Sequence, residues 1–265
     1  MARAATAERG ARPQEPSGPP PLLRRLGPRR LRTIIVIAVV VVLLGAGAAW
    51  ALYGSRWLRV ERVSVTGTQV LTPDQVRAAA AVPVGSPLVS VDTEAIEARL
   101  RAELPRIDSV DVVRSWPHGI GLKVTERKPV LLVRKGRNFV EVDDDGVRFA
   151  TVSEAPAGVP LLKLEVSSSG SSAASLRRFG EARLVREAVR AAGALPAAVA
   201  RDARLVKVRS YDEISLDLSG GRTVAWGSAE KGAAKARTLT ALMKASPGAR
   251  HFDVSVPTAP ASSAS

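Results

Sequence analysis

The chain has 265 residues, a formal net charge of +14 and no cysteine. Disulfides, thiolate zinc sites and a cysteine nucleophile are therefore excluded, and the length allows one or two folded units with enough core to do without covalent staples. The basic residues are 31 Arg against 8 Lys; an acidic membrane surface or weak contact with an anionic envelope polymer fits that balance, whereas four Phe and two Tyr are too few for the stacking platforms of a nucleic-acid binder.

Residues 1–30 hold six prolines, many arginines and almost no apolar periodicity, so they cannot bury enough surface to offset chain entropy and are expected to form a disordered tail. Residues 33–53 then read TIIVIAVVVVLLGAGAAWALY, free of charge from Arg32 to Arg56. These positions span about 31 Å as a helix, the thickness of a bilayer's hydrocarbon core, and a transmembrane helix is expected over 31–54. Trp50, Tyr53 and Trp57 form an aromatic belt at one end, and Arg24, Arg25, Arg29, Arg30 and Arg32 at the other place the N-terminus in the cytoplasm. A cleaved signal peptide with Ala49-Trp50-Ala51 as its processing site is the competing reading, but the apolar run is long for that role. Gly45 with Ala49, and Gly47 with Ala51, have the small-xxx-small spacing that can seat a partner helix.

Beyond the membrane segment, Leu58 to Val65 alternates as a strand, with Val60, Arg62 and Ser64 on one face and Val63 and Val65 on the other. Gly67 permits a turn. Thr72-Pro73-Asp74-Gln75 is a capping box that opens a helix ending before Pro83. Asp92 caps a second helix, whose Ile96, Leu100 and Leu104 share a face and which Pro105 closes. Ile107 to Trp116 and Ile120 to Glu126 are strands joined by a Pro117-His118-Gly119 turn. The order β-α-α-β-β over 57–127 makes two helices on one face of a three-stranded sheet.

From residue 128 to 257 the pattern changes to short strands and tight turns. Strands are expected at Val130 to Arg134, Phe139 to Val142 and Val147 to Phe149, then a Ser-rich loop at 166–174. A helix follows with Val185, Ala188, Val189 and Ala192 on one face. Strands at 205–210, 214–218 and 223–226 come next, the last two joined by a Gly220-Gly221 turn. Ser228 is placed as the cap of a second helix carrying Ala233, Ala236, Leu239 and Met243. Arg250 to Val256 is the final strand, and 258–265 are expected to be a disordered tail. The fold class is thus α+β: a transmembrane helix, the β-α-α-β-β module, and a mixed β domain with two helices.

Motifs for chemistry are weak. His118 and His251 lie in different predicted domains, so no helix-spaced metal pair exists. Ser228-Ala229-Glu230-Lys231 matches S-x-x-K, but the S-D-N and K-T-G elements of penicillin-recognising enzymes are missing. Glu141-x-Asp143-x-Asp145-Gly146 imitates a calcium loop, yet its twelfth position is Val152, and an Asp-rich turn with Gly in the left-handed conformation explains it better. No enzyme, cofactor or metal is expected.

The segments RVERVSVTGTQVLTPDQV (59–76) and WPHGIGLKVTERKPV (116–130) resemble the two ends of a POTRA module. VEVDDDGVRF (140–149), GVPLL (158–162), GGRTVAWGSAEKGAAKARTLTAL and FDVSVPTAP resemble the β domain that follows it in the FtsQ/DivIB family of bacterial cell-division proteins. The resemblance runs from the membrane helix to Pro260. It implies a non-enzymatic divisome scaffold at the division septum, a single-pass cell-membrane protein with its bulk outside. It also implies binding to FtsB and FtsL and, through them, a link to the peptidoglycan synthases FtsW and FtsI. A POTRA-bearing envelope translocation or assembly component is the alternative, but such proteins carry a run of barrel strands for which this chain has no room.

A chain-terminal strand at a sheet edge exposes N–H and C=O groups that a partner strand can complete. The residues expected to meet a partner are Arg250, His251, Phe252, Asp253, Val254, Ser255 and Val256, with Trp226 on the preceding strand. In this reading Phe252, Val254 and Val256 face one side, and His251, Asp253 and Ser255 the other. The edge formed by Leu58 to Val65 is a second candidate surface.

Overall fold

The computed structural model describes residues 28–165 and 170–264. The chain divides into two compact units, Met1–Ser55 and Arg56–Ser265. In the first, helix α1 runs Pro28–Gly54. Proline is tolerated at a first helical position because its missing N–H would be unpaired there anyway, so the helix starts within the segment read as tail; residues 1–27 of that tail lie outside the described residues. Within Arg29–Gly54 an 18-residue window has a mean hydropathy of 2.7, and none of that window is buried. It is therefore long and apolar enough to cross a bilayer. Thr33, at the start of the apolar run, donates its hydroxyl to the Arg29 carbonyl at 3.0 Å.

The second unit opens with β1 (Arg62–Thr66), α2 (Pro73–Ala80), α3 (Thr93–Glu103), β2 (Ile107–Ser115) and β3 (Gly119–Glu126), the expected β-α-α-β-β order. The sheet order is β1-β3-β2, with β1 parallel and β2 antiparallel to β3. The capping box forms as read: Gln75 N–H donates to Thr72 Oγ1 at 3.2 Å and Thr72 N–H to Gln75 Oε1 at 2.9 Å. Asp92 accepts from Ala95 N–H at 3.0 Å. Val76 and Ala80 of α2 and Ile96 and Leu100 of α3 pack on Ile120 and Leu122 of β3, all buried. Burial of a side chain such as Leu100 contributes about 1.5–3 kcal/mol.

The first strand is shorter than its alternation suggested. Residues Arg56–Leu58 form a 3₁₀ turn, Arg59 makes only an isolated bridge to Pro87, and the ladder starts at Arg62 opposite Gly119. Val60 is consequently buried with the core and does not share the open face of Arg62 and Ser64. Gly67 has φ +89°, and a Cβ there would sit 2.0 Å from the Val124 carbonyl, so no other residue fits this turn. The loop after it is held by Glu126, whose carboxylate accepts from the N–H groups of Gln69, Val70 and Leu71 at 2.7–3.1 Å. Hydrogen bonds to a charged acceptor contribute more than neutral ones. We therefore expect Glu126→Gln to cost about 2 kcal/mol in urea unfolding, where the matched exposed change Glu103→Gln has no measurable effect.

The second half forms one nine-stranded sheet in the order β12-β11-β10-β9-β8-β7-β4-β5-β6. Its elements are β4 (Leu131–Lys135), β5 (Asn138–Val142), β6 (Arg148–Val152), β7 (Leu161–Leu164), α4 (Gly170–Phe179), α5 (Glu181–Gly193), α6 (Ala197–Asp202), β8 (Ala203–Ser210), β9 (Glu213–Leu218), β10 (Thr223–Gly227), α7 (Gly232–Ala245), β11 (His251–Asp253) and β12 (Ala261–Ser263). Leu131, Leu184, Ala188, Val206, Leu216, Trp226, Leu239 and Phe252 belong to its single core.

Three features depart from the sequence reading. The Ser-rich segment is not a loop throughout: helix α4 starts at Gly170, and Ser175, buried on it, accepts the Tyr211 N–H at 2.9 Å. Residues 166–169 lie outside the described residues. Ser228 does not cap α7; the helix starts after Lys231, which holds a left-handed conformation. The segment 258–265, read as a tail, contributes β12, which pairs antiparallel with β11. Helices α4 and α6 add to the two that periodicity revealed.

Candidate functional site

Two polar constellations organise the second unit, and neither has the form of a catalytic centre. Among the described residues no cluster of three or more His, Asp or Glu could hold a metal ion. His118 lies at the β2–β3 turn and His251 on β11, as their separation in sequence implied. The S-x-x-K stretch forms the β10–α7 connection, where the Ser228 carbonyl accepts from Lys235 Nζ at 2.7 Å.

The first constellation lies where the two folded halves join. Arg106, just before β2, pairs with Glu141 of β5 and lies over the Phe149 ring at 5.1 Å. Arg127, just after β3, pairs with Asp143 and, at 3.2 Å, with Asp108. Asp143 also accepts from the N–H groups of Asp145 at 3.0 Å and Val147 at 2.7 Å. The Asp-rich turn is thus an anchor for an arginine of the preceding module. Gly146 at its end has φ +81°, the left-handed position that sequence assigned it. Glu141 and Asp143 are both buried, and their burial was what the turn pattern did not reveal.

The second constellation is the C-terminal corner of the nine-stranded sheet. The β11 ladder is short because Asp253 Oδ1 accepts from both the N–H and the hydroxyl of Ser255, at 2.9 and 2.7 Å, which turns the chain away. The last ladder bond on this side runs from Val254 N–H to Ala225 O at 3.0 Å. The chain then reverses through Pro257, whose carbonyl accepts from Thr238 Oγ1 on α7 at 3.2 Å, and returns as β12. Arg250 N–H donates to Ser263 O at 2.9 Å and accepts, through its carbonyl, the Thr223 N–H at 2.7 Å.

The eight residues singled out from sequence divide accordingly. Phe252, Val254 and Trp226 are buried in the core, so their side chains anchor the corner. Arg250, His251 and Asp253 are exposed and Ser255 half-buried. Val256 is 53% exposed and has left the face of Phe252 and Val254, because the Asp253–Ser255 turn breaks the alternation. β11 itself is not the edge: β10 and β12 cover both its sides. The edge belongs to β12, all of whose residues are exposed. On the outer face His251 Nδ1 lies 2.6 Å from Thr223 Oγ1, and with Asp253, Ala225, Ala261 and Ser263 these side chains line a shallow groove across the three strands. Ala261, Ser262 and Ser263 carry no apolar alternation that would have revealed the strand; it pairs with β11 through the backbone, and Ser262 Oγ also donates to Ser246 Oγ at 3.2 Å.

Beneath the corner lies Lys235, 2% exposed. Its Nζ donates to the carbonyls of Trp226 at 2.8 Å and Ser228 at 2.7 Å and stands 5.9 Å from the Trp226 ring centroid. Burial holds its pKa below the ordinary lysine value, against the opposing pull of Glu230, Asp212 and Asp253.

The β-α-α-β-β module, the sheet appended to it and the apolar N-terminal helix give the architecture of a POTRA-bearing protein. Residues 58–127 match the family model "POTRA domain, FtsQ-type". The chain is 74% identical to cell division protein FtsQ of Streptomyces coelicolor over 265 residues, all of both chains. It is likewise 74% identical to FtsQ of Streptomyces collinus over the full length of both, and 30% identical to FtsQ of Mycobacteroides abscessus over 87% of this chain and 69% of that one. The chain belongs to the FtsQ family of cell-division proteins. The major extracytoplasmic domain of DivIB from Geobacillus stearothermophilus aligns with 46% of this chain and 94% of that one, at 19% identity and a TM-score of 0.32, too low to argue from.

Proposed function

We propose that the chain is a scaffold of the divisome: α1 crosses the cytoplasmic membrane with its N-terminus inside, the folded unit lies outside at the septum, and FtsB and FtsL dock on the C-terminal corner. Through them the scaffold is coupled to FtsW and FtsI, and it performs no chemistry of its own. The observation that carries this reading is the open edge of β12, a backbone ladder at the end of a sheet whose buried anchors hold it in place. A partner strand laid along it gains main-chain hydrogen bonds, and the groove of His251, Thr223 and Asp253 offers side-chain discrimination. The edge strand β1 is a second surface of the same kind, for a partner not identified by its residues.

Truncation after Pro260 tests the docking edge. It removes β12 but none of the buried core, so the melting temperature changes little. Capture of FtsB by the detergent-solubilised chain is expected to fall at least about tenfold, the equivalent of about 1.4 kcal/mol. Undiminished capture by the folded truncation rules out β12 as the docking strand. A fluorescent fusion of the full chain should concentrate at division septa, and uniform envelope staining would count against the scaffold reading itself.

A further inference from the structure

Residues 56–62 join the POTRA module to the apolar helix, and two loops flank them. On one side Val60 N–H donates to Ser86 O at 2.9 Å, Gly85 N–H to Val60 O at 2.8 Å, and Arg59 to Gly85 O at 2.8 Å. On the other, the N–H groups of Glu61 and Arg62 both donate to His118 O, at 2.9 and 3.3 Å. Each loop carries an apolar side chain that the module does not bury: Val84 is 65% and Trp116 53% exposed, and Trp57 on the connecting segment is 73% exposed. Arg56 and Arg59 line an open hollow with Val84. Arg62 lines a second one with Trp116 and His118. Arg62 Nη2 lies 2.5 Å from His118 Nε2; a guanidinium has no acceptor, so this nitrogen accepts and the imidazole leaves the arginine charge uncompensated. Glu61 is the one acidic residue in 56–62, and the loops 83–87 and 115–119 contain none.

Exposed indole rings beside arginines suit the headgroup layer of a bilayer, where the ring is half-solvated and the guanidinium meets phosphate. Arg56 lies two residues beyond the end of α1, a reach of at most about 7 Å, so the chain itself brings Arg56 to the surface from which a spanning helix emerges. We propose that the rim formed by Arg56, Trp57, Arg59, Arg62, Val84 and Trp116 seats on a lipid surface bearing anionic headgroups. The module is then held down on the membrane and does not swing on its tether. This inference rests on the reading of α1 as a membrane span.

Because the chain has no native cysteine, single environment-sensitive labels can be placed cleanly. Val84→Cys, Ser115→Cys, Tyr53→Cys and the remote Lys135→Cys are each labelled in the full-length protein and reconstituted in nanodiscs. The discs contain phosphatidylcholine alone or with an equal part of phosphatidylglycerol, doped with headgroup-quencher lipid. Labels at 84 and 115 should be quenched, more strongly with phosphatidylglycerol, while the label at 135 is not. Each arginine near such a surface contributes roughly fivefold to the seated population, so Arg56→Gln with Arg62→Gln should reduce the anionic preference roughly thirtyfold. Quenching at 53 with none at 84 and 115 overturns the seated rim and leaves the span intact; no quenching at 53 overturns the span and the rim with it. Quenching at 84 and 115 that ignores both phosphatidylglycerol and the arginine substitutions also overturns the proposal, since proximity by tether alone would produce it.

Discussion

Replacing Asp143 with Ala lowers the unfolding free energy by about 3–5 kcal/mol, the cost of removing one partner from a buried ion pair. The size follows from what is left behind. Arg127 remains enclosed at the junction, its side chain 17% exposed, and keeps only Asp108, which is 46% exposed and 3.2 Å away. The N–H groups of Asp145 and Val147 lose their acceptor at the same time. Asp108→Ala, removing the exposed partner of the same arginine, should cost less than about 1 kcal/mol. Urea titration of the full chain in detergent, followed by far-ultraviolet circular dichroism, separates the two. The cycle combining Asp143→Ala with Arg127→Ala should recover part of the loss, because the orphaned charge is then gone. If Asp143→Ala unfolds at the wild-type urea concentration, the pair does not tie the two halves together. Arg106 and Arg127 bracket the β2–β3 hairpin of the POTRA module, Glu141 lies on β5 and Asp143 just beyond it, on the sheet whose other end carries the β12 edge. Loosening this junction should weaken septal recruitment without touching either proposed surface.

How far the sequence could be read depended on whether a residue's role is local. The capping box at Thr72 and Gln75, the Asp92 cap and the Ile96–Leu100 stripe depend on neighbours within one or two turns, and all are present in the structure. The apolar run of α1 and the β-α-α-β-β order were equally legible, since a two-residue or 3.6-residue period is written into the chain. Non-local pairings were not. The Leu58–Val65 alternation could not show that Arg59 and Val60 are held by the 83–87 loop, outside the ladder. The Asp143 turn was recognised, but its burial against Arg127 depends on how two halves meet. At the C-terminal corner, Phe252 and Val254 were correctly placed on one face, whereas Val256 was lost to a side-chain turn at Asp253. β12 was hidden because Ala261, Ser262 and Ser263 are all exposed, so no apolar pattern marks their pairing with β11. The proposed docking edge is therefore one strand away from the one expected, on β12 and not β11.

Lys235 supplies the other large effect, and no sequence pattern singled it out, because its burial depends on how α7 packs on the β10 end. Lys235→Met keeps the volume and removes the donors, leaving the carbonyls of Trp226 and Ser228 without their ammonium; the expected loss is about 2–3 kcal/mol, from one buried and one half-buried acceptor left unpaired. The wild-type protein should also show a pH dependence that the variant lacks. Burial lowers the folded-state pKa below the ordinary value of 10.5, so over the window between the two the unfolded chain binds a proton that the folded chain has released. The unfolded state then carries more protons, and stability rises with pH through that window. The neutral amine still has two N–H groups, one for each carbonyl, so deprotonation removes the desolvation cost without breaking the corner. Unfolding curves from neutral to alkaline pH should therefore climb for the wild type relative to Lys235→Met. Parallel curves would mean that the buried lysine keeps its proton throughout. Because Trp226 precedes Gly227, where a Cβ would lie 2.9 Å from that of Ser255, slackening at Lys235 reaches the turn that ends β11. With FtsB docked on this corner as proposed, the same variant should lower its capture even where most of the protein remains folded, so that one side chain bears on both the stability of the corner and the proposed docking.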